Sequence, residues 1–376
     1  LATNVSAKVK SSDITFPGKF YTKEIKSCSA LPNKAKFSNA ETFKTIEDVI
    51  GYDWATFHRE TGTSLIVDHN VITVPGKLML TALQHAIANN NQANLDIGKD
   101  LLLRIAKADT LYNSIGYYEL QNKPMCWENN DPDSPCWYHE FDFAGQTFSN
   151  FMIAAIYLKS EFNEKELKEI NRYIDKMYKK FLKPIRFRKQ DRGFYSMANG
   201  GLSTLIYASW TNNKKLAAKE INHTFNEIDR LFYEDGYINN NSFRGGRGQW
   251  YHSYGVDIAL GYVYIAKLWG AEVPEKVYNK LVNSAKVVNL AITDPDKFAE
   301  RKNPDGKARN RITKKNQGIP HTHQMAIAID TLMEMVVGIK LEHDPVYLSK
   351  REIHMPDGTD DLIGFNPNCI NPVEPI

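Results

Sequence analysis

Arg244-Gly-Gly-Arg-Gly-Gln-Trp-Tyr-His-Ser-Tyr254 gathers two guanidiniums, two phenols, an imidazole and an indole into eleven residues. It follows the turn-forming Asp235-Gly236 and Asn239-Asn240-Asn241. Beyond it, Val256, Ile258, Ala259, Tyr262, Ile265 and Leu268 recur at helical spacing and predict a helix that begins inside the motif. On that helix Arg247, Tyr251 and Tyr254 stand at i, i+4 and i+7 and share a face. A fixed cation beside a phenol lowers the phenol's pKa from its ordinary value near 10 and makes it a usable base. A guanidinium also pairs with a carboxylate in a planar fork. Together they suit proton removal next to a carboxylate, and Asn199 upstream could add an amide donor to the same group.

The elements that must hold these residues are amphipathic helices. Helical periodicity predicts them over residues 41–50, 77–90, 94–109, 143–159, 164–182, 197–211, 213–233, 250–269, 274–291 and 323–340. Short polar turns such as Trp210-Thr-Asn-Asn-Lys214 separate them. Strand-like alternation is confined to Thr63–Asp68 and Val71–Val74, and the tail from His343 reads as irregular or short extended segments. No linker-like composition break divides the 376 residues, so the sequence reads as one all-α domain of antiparallel helix pairs over 1–376. No fixed-period repeat of the solenoid kind is present.

Composition excludes several classes. A net charge of +3 is too small to argue for nucleic acid, and no apolar run reaches membrane-spanning length. No signal peptide is visible, and the opening Leu1-Ala2-Thr3 in place of Met reads as a processed start. Basic residues cluster at Lys183, Arg186, Arg188, Lys189 and Arg192 and again between Arg301 and Lys315. Such runs are either solvated loops or the rim of a groove for a polyanion. His321-Thr-His323 lacks a third ligand at suitable spacing, so neither metal nor cofactor is expected. Cys126 and Cys136 could close a loop, and Cys28 and Cys369 could tie the chain ends; buried free thiols are the alternative. If the bridges form, the protein is secreted or periplasmic. Asn4-Val-Ser, Asn222-His-Thr and Asn240-Asn-Ser are glycosylation-like triplets of low specificity.

The segment Arg247-Gly-Gln-Trp-Tyr-His-Ser-Tyr254 resembles the Arg-x-x-x-Tyr-His-x-Tyr signature of the alginate lyase superfamily. Glu234-Asp-Gly-Tyr-Ile resembles that family's Asp/Glu-Gly segment. Ala198-Asn-Gly-Gly201 aligns with its Asn-Asn-His element, at the ungapped separation from Tyr254 that the family shows. The resemblance covers roughly residues 192–270. It implies an incomplete α/α toroid of six or seven helical hairpins with minor β structure. It also implies a polysaccharide lyase in which Tyr254 is base and acid while Arg247 and Asn199 hold the uronate carboxylate. The family's catalytic His falls on Gly200 here. That departure points toward polysaccharide lyase family 38, which includes glucuronan lyases, and makes His139, in Cys136-Trp-Tyr-His139, the candidate substitute. His252 either faces substrate or is a satisfied inner partner. Trp250, Tyr195, Trp137 and Tyr138 could stack on sugar rings or belong to the core. Arg244 is either a carboxylate partner at a neighbouring subsite or a surface residue. The expected partner is an acidic polysaccharide, a polyuronate, with no nucleic acid or membrane, bound by a monomer or homodimer.

Two rivals stand beside this reading. An inverting glycoside hydrolase would need two carboxylates across a cleft, for which Glu140, Asp142, Asp235 and Asp257 are available. A non-catalytic binder of acidic glycans would need the basic and aromatic surface but not Tyr254.

Overall fold

The computed structural model describes residues 8–25, 69–110, 112, 140–183, 194–244, 248–304, 326–342, 363 and 370–375. The fold is all-α, with helices α1 (His69–Ala88), α2 (Gln92–Lys107), α3 (Glu140–Tyr157), α4 (Glu164–Met177), α5 (Phe194–Thr211), α6 (Lys214–Leu231), α7 (Gly248–Leu268), α8 (Glu275–Thr293), α9 (Pro295–Glu300) and α10 (Ala326–Leu332). Single π turns extend α4 over Tyr178–Leu182 and α10 over Met333–Val337. Strands β1 (Tyr21–Ile25) and β2 (Ile370–Pro372) pair antiparallel, with Tyr21 opposite Pro372 and Ile25 opposite Ile370. The predicted helix over 41–50 and the strand-like Thr63–Asp68 lie outside the described residues.

Paired asparagines explain the tight helix hairpins. Asn90 and Asn212 take left-handed φ values of 47° and 50°, which end α1 and α5. The next asparagine then caps the following helix: Asn91 accepts from Asn94 N–H at 3.1 Å and Asn213 from Leu216 N–H at 3.0 Å. A capping box starts α4, where Asn163 and Glu166 exchange bonds of 2.9 and 3.0 Å.

Contacts divide the chain into two compact units, neither continuous in sequence. The unit formed by Lys19–Arg188 and His354–Pro372 packs α1 against α3 and α2 against α4. The α1–α3 approach is close at Gly76, where a Cβ would lie 3.1 Å from Asn150 Cβ and 3.2 Å from Thr147 Cα. The strand-like Val71–Val74 is therefore a correction: it belongs to α1, ahead of Pro75 and Gly76. The β preference of branched residues is weak enough that a helical context overrides it.

In the other unit (Leu1–Gly18, Lys189–Ile353 and Val373–Ile376), α7 is the central element, packed against α5, α8 and α10. Val256, Ile258, Ala259, Leu260, Val263 and Ile265 are all fully buried, covering every side of the helix, the pattern of a core helix. Several of its polar groups are bonded inward, as where Tyr262 Oη donates at 2.7 Å to the buried Glu220, which also accepts from Thr224 at 3.0 Å.

Candidate active site

The motif straddles a wound loop and the first turns of α7. Phe232 and Ile238 form an isolated bridge across the Asp235-Gly236 turn, and Gly236 takes a φ of 89°. A Cβ there would lie 2.3 Å from the Asn283 carbonyl carbon on α8, so both its conformation and its contact require glycine. Ser284 Oγ donates to Gly236 O at 2.6 Å and Asn283 Nδ2 to Glu234 O at 2.8 Å. Beneath the loop, the Tyr237 ring stacks between Phe243 and Phe298 at 5.8 and 5.3 Å. Its hydroxyl donates to Phe298 O, and burial pushes its pKa up to about 12, which keeps this phenol protonated.

The start of α7 is pinned by partners on α8 and on this loop. Gln249 Nε2 donates to Ala291 O at 2.7 Å, and Asn241 Nδ2 donates to Tyr251 O at 3.1 Å. His252 is fully buried, with Nδ1 2.8 Å from Ser242 Oγ and Nε2 3.0 Å from Ser284 O. A carbonyl only accepts, so Nε2 carries the hydrogen and Nδ1 accepts from the serine hydroxyl. Burial pushes the His252 pKa down to about 4. Both ring nitrogens are thus engaged by protein groups, which is the arrangement the inner-partner reading of His252 requires. Gly255 completes the fit, since a Cβ there would lie 2.7 Å from Asn241 Nδ2 and 2.9 Å from Ile238 Cδ1.

With the helix fixed in this way, Tyr251 and Tyr254 are one turn apart near its start. Tyr254 is 5% exposed, and Tyr251 is half-buried with the Arg244 guanidinium 4.3 Å over its ring. Arg244 has no carboxylate partner among the described residues, and its Nε is buried without a hydrogen bond. Arg247 directly precedes Gly248, the first residue of α7, and lies outside the described residues. The positive end of the α7 dipole adds to this local field.

Trp250 lies in α7, and Tyr195, Asn199 and Gly200 lie in α5, which packs against α7; their side chains are outside the described set. Tyr138, His139, Trp137, His321, His323 and the cysteines Cys28, Cys126, Cys136 and Cys369 also lie outside it. Among the acids considered for hydrolysis, Asp235 is held by Arg301 Nε at 2.6 Å and Asp257 is buried. Among the described residues no group of acids, histidines and cysteines could hold a metal ion, and no helix is long and apolar enough to cross a membrane. Asn241, Ser242, Gln249 and Ser284 escaped the sequence reading. In the sequence Asn241 reads as a turn residue and Ser242 as the end of the triplet Asn240-Asn-Ser, and Ser284 meets its partner 32 residues away.

No protein-family model matches the sequence, and no curated protein matches it. Among solved structures, the chain is similar to the apo form of a His-to-Ala variant of alginate lyase A1-III, with a TM-score of 0.50 and 12% identity over 98% of this chain and 91% of that one. Alginate lyase A1-III from Sphingomonas species A1 matches with a TM-score of 0.50 and 13% identity, over 96% and 88% of the two chains. A Tyr-to-Phe variant complexed with tetrasaccharide matches at a TM-score of 0.48 and 13% identity; that match covers 62% of this chain and 61% of that one, about three fifths of each. At such identities the likeness is one of fold: the chain shares the fold of alginate lyase A1-III.

Proposed function

We propose that the protein is a polysaccharide lyase that cleaves a β-1,4-linked polyuronate by syn β-elimination. In this reading the Tyr254 phenolate takes the C5 proton, the electron pair forms the C4=C5 double bond, and the C4–O4 bond breaks. Tyr254 then returns the proton to the departing O4, so one residue serves as base and acid. Arg247 and Asn199 hold the C6 carboxylate, onto which negative charge spreads once C5 is deprotonated. The observation that carries the reading is the start of α7. There Tyr254 stands on a helix fixed by Gln249, Asn241 and His252, with Arg244 and Arg247 ahead of that helix in the sequence, within a fold shared with alginate lyase A1-III.

The finer proposal is a glucuronan or mannuronate-type substrate, with family 38 as the nearest group. His139 remains the proposed substitute for the family histidine, because both nitrogens of His252 are occupied. The proposed location is the periplasm or outside the cell, the oxidising compartments in which the four cysteines would pair.

The test is ultraviolet absorbance on mixing the protein with glucuronan, polymannuronate and polyguluronate in parallel. A rise with one polymer identifies both reaction and substrate, because hydrolysis creates no conjugated double bond. Tyr254→Phe is expected to abolish that rise while oligosaccharide binding stays within about threefold, the loss of a hydroxyl contact worth less than 1 kcal/mol. New reducing ends without absorbance would favour a hydrolase, and binding without either product a glycan-binding protein.

A further inference from the structure

We infer that Arg244, stacked on Tyr251, forms a second carboxylate site beside the one assigned to Arg247 and Asn199, so that the protein reads two neighbouring acidic sugars of one chain. This rests on the lyase reading for the identity of the first site. The guanidinium carbon lies over the Tyr251 ring, 4.3 Å from its centroid. Arg244 belongs to no ion pair among the described residues, whereas nearby Arg301 is held by Asp235 at 2.6 Å. Its Nε is buried and has no hydrogen-bond partner among the described residues. Among the described residues this half-buried guanidinium meets no anion, so its terminal nitrogens are left to a ligand or to water. A ligand carboxylate supplies the missing charge, and the aromatic face below fixes the plane it meets.

Two bonds set the position of this pair. Asn241 holds the Tyr251 carbonyl at 3.1 Å, and Ser242, two residues before Arg244, is bonded to His252 at 2.8 Å. The loop bearing Arg244 and the helix bearing Tyr251 and Tyr254 are thus held in one register. Arg244 and Arg247 are three positions apart in sequence, a stretch of chain that reaches at most about 11 Å. Two long cationic side chains rooted that close serve adjacent carboxylates of a single chain. A homopolymer of uronates presents such neighbours; a glycan alternating uronate with neutral or amino sugars does not.

The experiment compares wild type, Arg244→Ala and Arg244→Lys on the polyuronate that is turned over and on the same polymer with about half its carboxyls reduced to alcohols. Arg244→Ala is expected to raise KM by about tenfold to a hundredfold, the scale of charge-assisted hydrogen bonds, with kcat within about twofold. It should also weaken the dependence of KM on salt and lose most of the wild-type preference for the fully acidic polymer. Arg244→Lys keeps the charge without the planar fork and should recover the salt dependence but only part of the affinity. An unchanged KM, or a fall in kcat alone, would overturn the inference while leaving the lyase reading standing. If wild type turns over no polyuronate, binding of uronate oligomers by calorimetry takes the place of KM. A tenfold loss in Arg244→Ala would then support the carboxylate site although the lyase reading had failed, and equal binding would overturn it.

Discussion

At the scale of single residues, His252 shows how burial assigns a role. The motif invites a reading in which the imidazole between two tyrosines meets substrate, yet its nitrogens are taken by Ser242 and Ser284 and its ring lies against Tyr237 and Phe298. Its pKa is pushed down from 6.5 to about 4, chiefly by burial. Above pH 6.5 the ring is neutral whether the chain is folded or unfolded, and it contributes no pH dependence. Between 6.5 and about 4 the unfolded chain binds a proton that the folded one refuses, so stability falls as pH falls. The loss levels off below about 4, at about 3 kcal/mol in total. His252→Gln should therefore flatten the fall of the thermal midpoint across this window relative to wild type, even though the variant is less stable at neutral pH. Parallel pH profiles for the two proteins would show that the acid sensitivity arises elsewhere. The chemistry-bearing types of Tyr254, Arg247 and Arg244 are legible in the sequence because they are contiguous. The role of His252 is not, because the carbonyl that fixes its tautomer belongs to a helix 32 positions away.

At the scale of elements, most helices could be read from periodicity, and α7 begins within two residues of the prediction, at Gly248. The start of α1 could not. Branched residues followed by Pro75-Gly76 read as strand and break, whereas that glycine lets α1 approach the α3 backbone. Gly255 follows the same logic inside α7. Replacing it with alanine raises helix propensity by about 1 kcal/mol. The new Cβ would lie 2.7 Å from Asn241 Nδ2, however, and that amide is buried and bonded to Tyr251 O, so it cannot swing aside without losing the bond. Overpacking costs about 1–3 kcal/mol and the lost bond about 1 more, so the clash outweighs the propensity. Gly255→Ala should lower stability by about 1–3 kcal/mol in denaturant titration and reduce turnover by displacing the loop from Tyr251. Asn241→Ala added to it should give less destabilisation than the two single effects summed, because it removes the atom in the way. Strict additivity would mean that the two residues do not press on each other.

At the scale of the molecule, the absence of a linker signal has a structural counterpart: both compact units are discontinuous, so their boundaries fall where composition has no reason to change. The unit containing α7 draws in residues from near both ends of the sequence. Thr15 N–H donates to Trp269 O at 2.8 Å, Phe16 lies 5.5 Å from the Trp269 ring, and Val373 N–H donates to Tyr264 Oη at 3.1 Å. The firmest tie is Asn222, whose side chain accepts from Val9 N–H at 2.9 Å and donates to Val9 O at 2.8 Å, copying the pairing of a β-ladder. This also accounts for the triplet Asn222-His-Thr in structural terms: the amide is spent on the strap, and Thr224, 1% exposed, is bonded to Glu220. Asn222→Ala removes both bonds to Val9 and should cost about 2 kcal/mol, with the opening confined to the strap at residues 8–18 rather than spread over the helical core. Limited trypsin digestion reads this directly, since Lys8 and Lys10 flank Val9. Cleavage there should be faster in the variant by at least about tenfold, while sites within α6 and α7 stay protected. Equal cleavage at Lys8 and Lys10 in both proteins would mean that the strap is held by Thr15 and Phe16 against Trp269, and that Asn222 adds little to it.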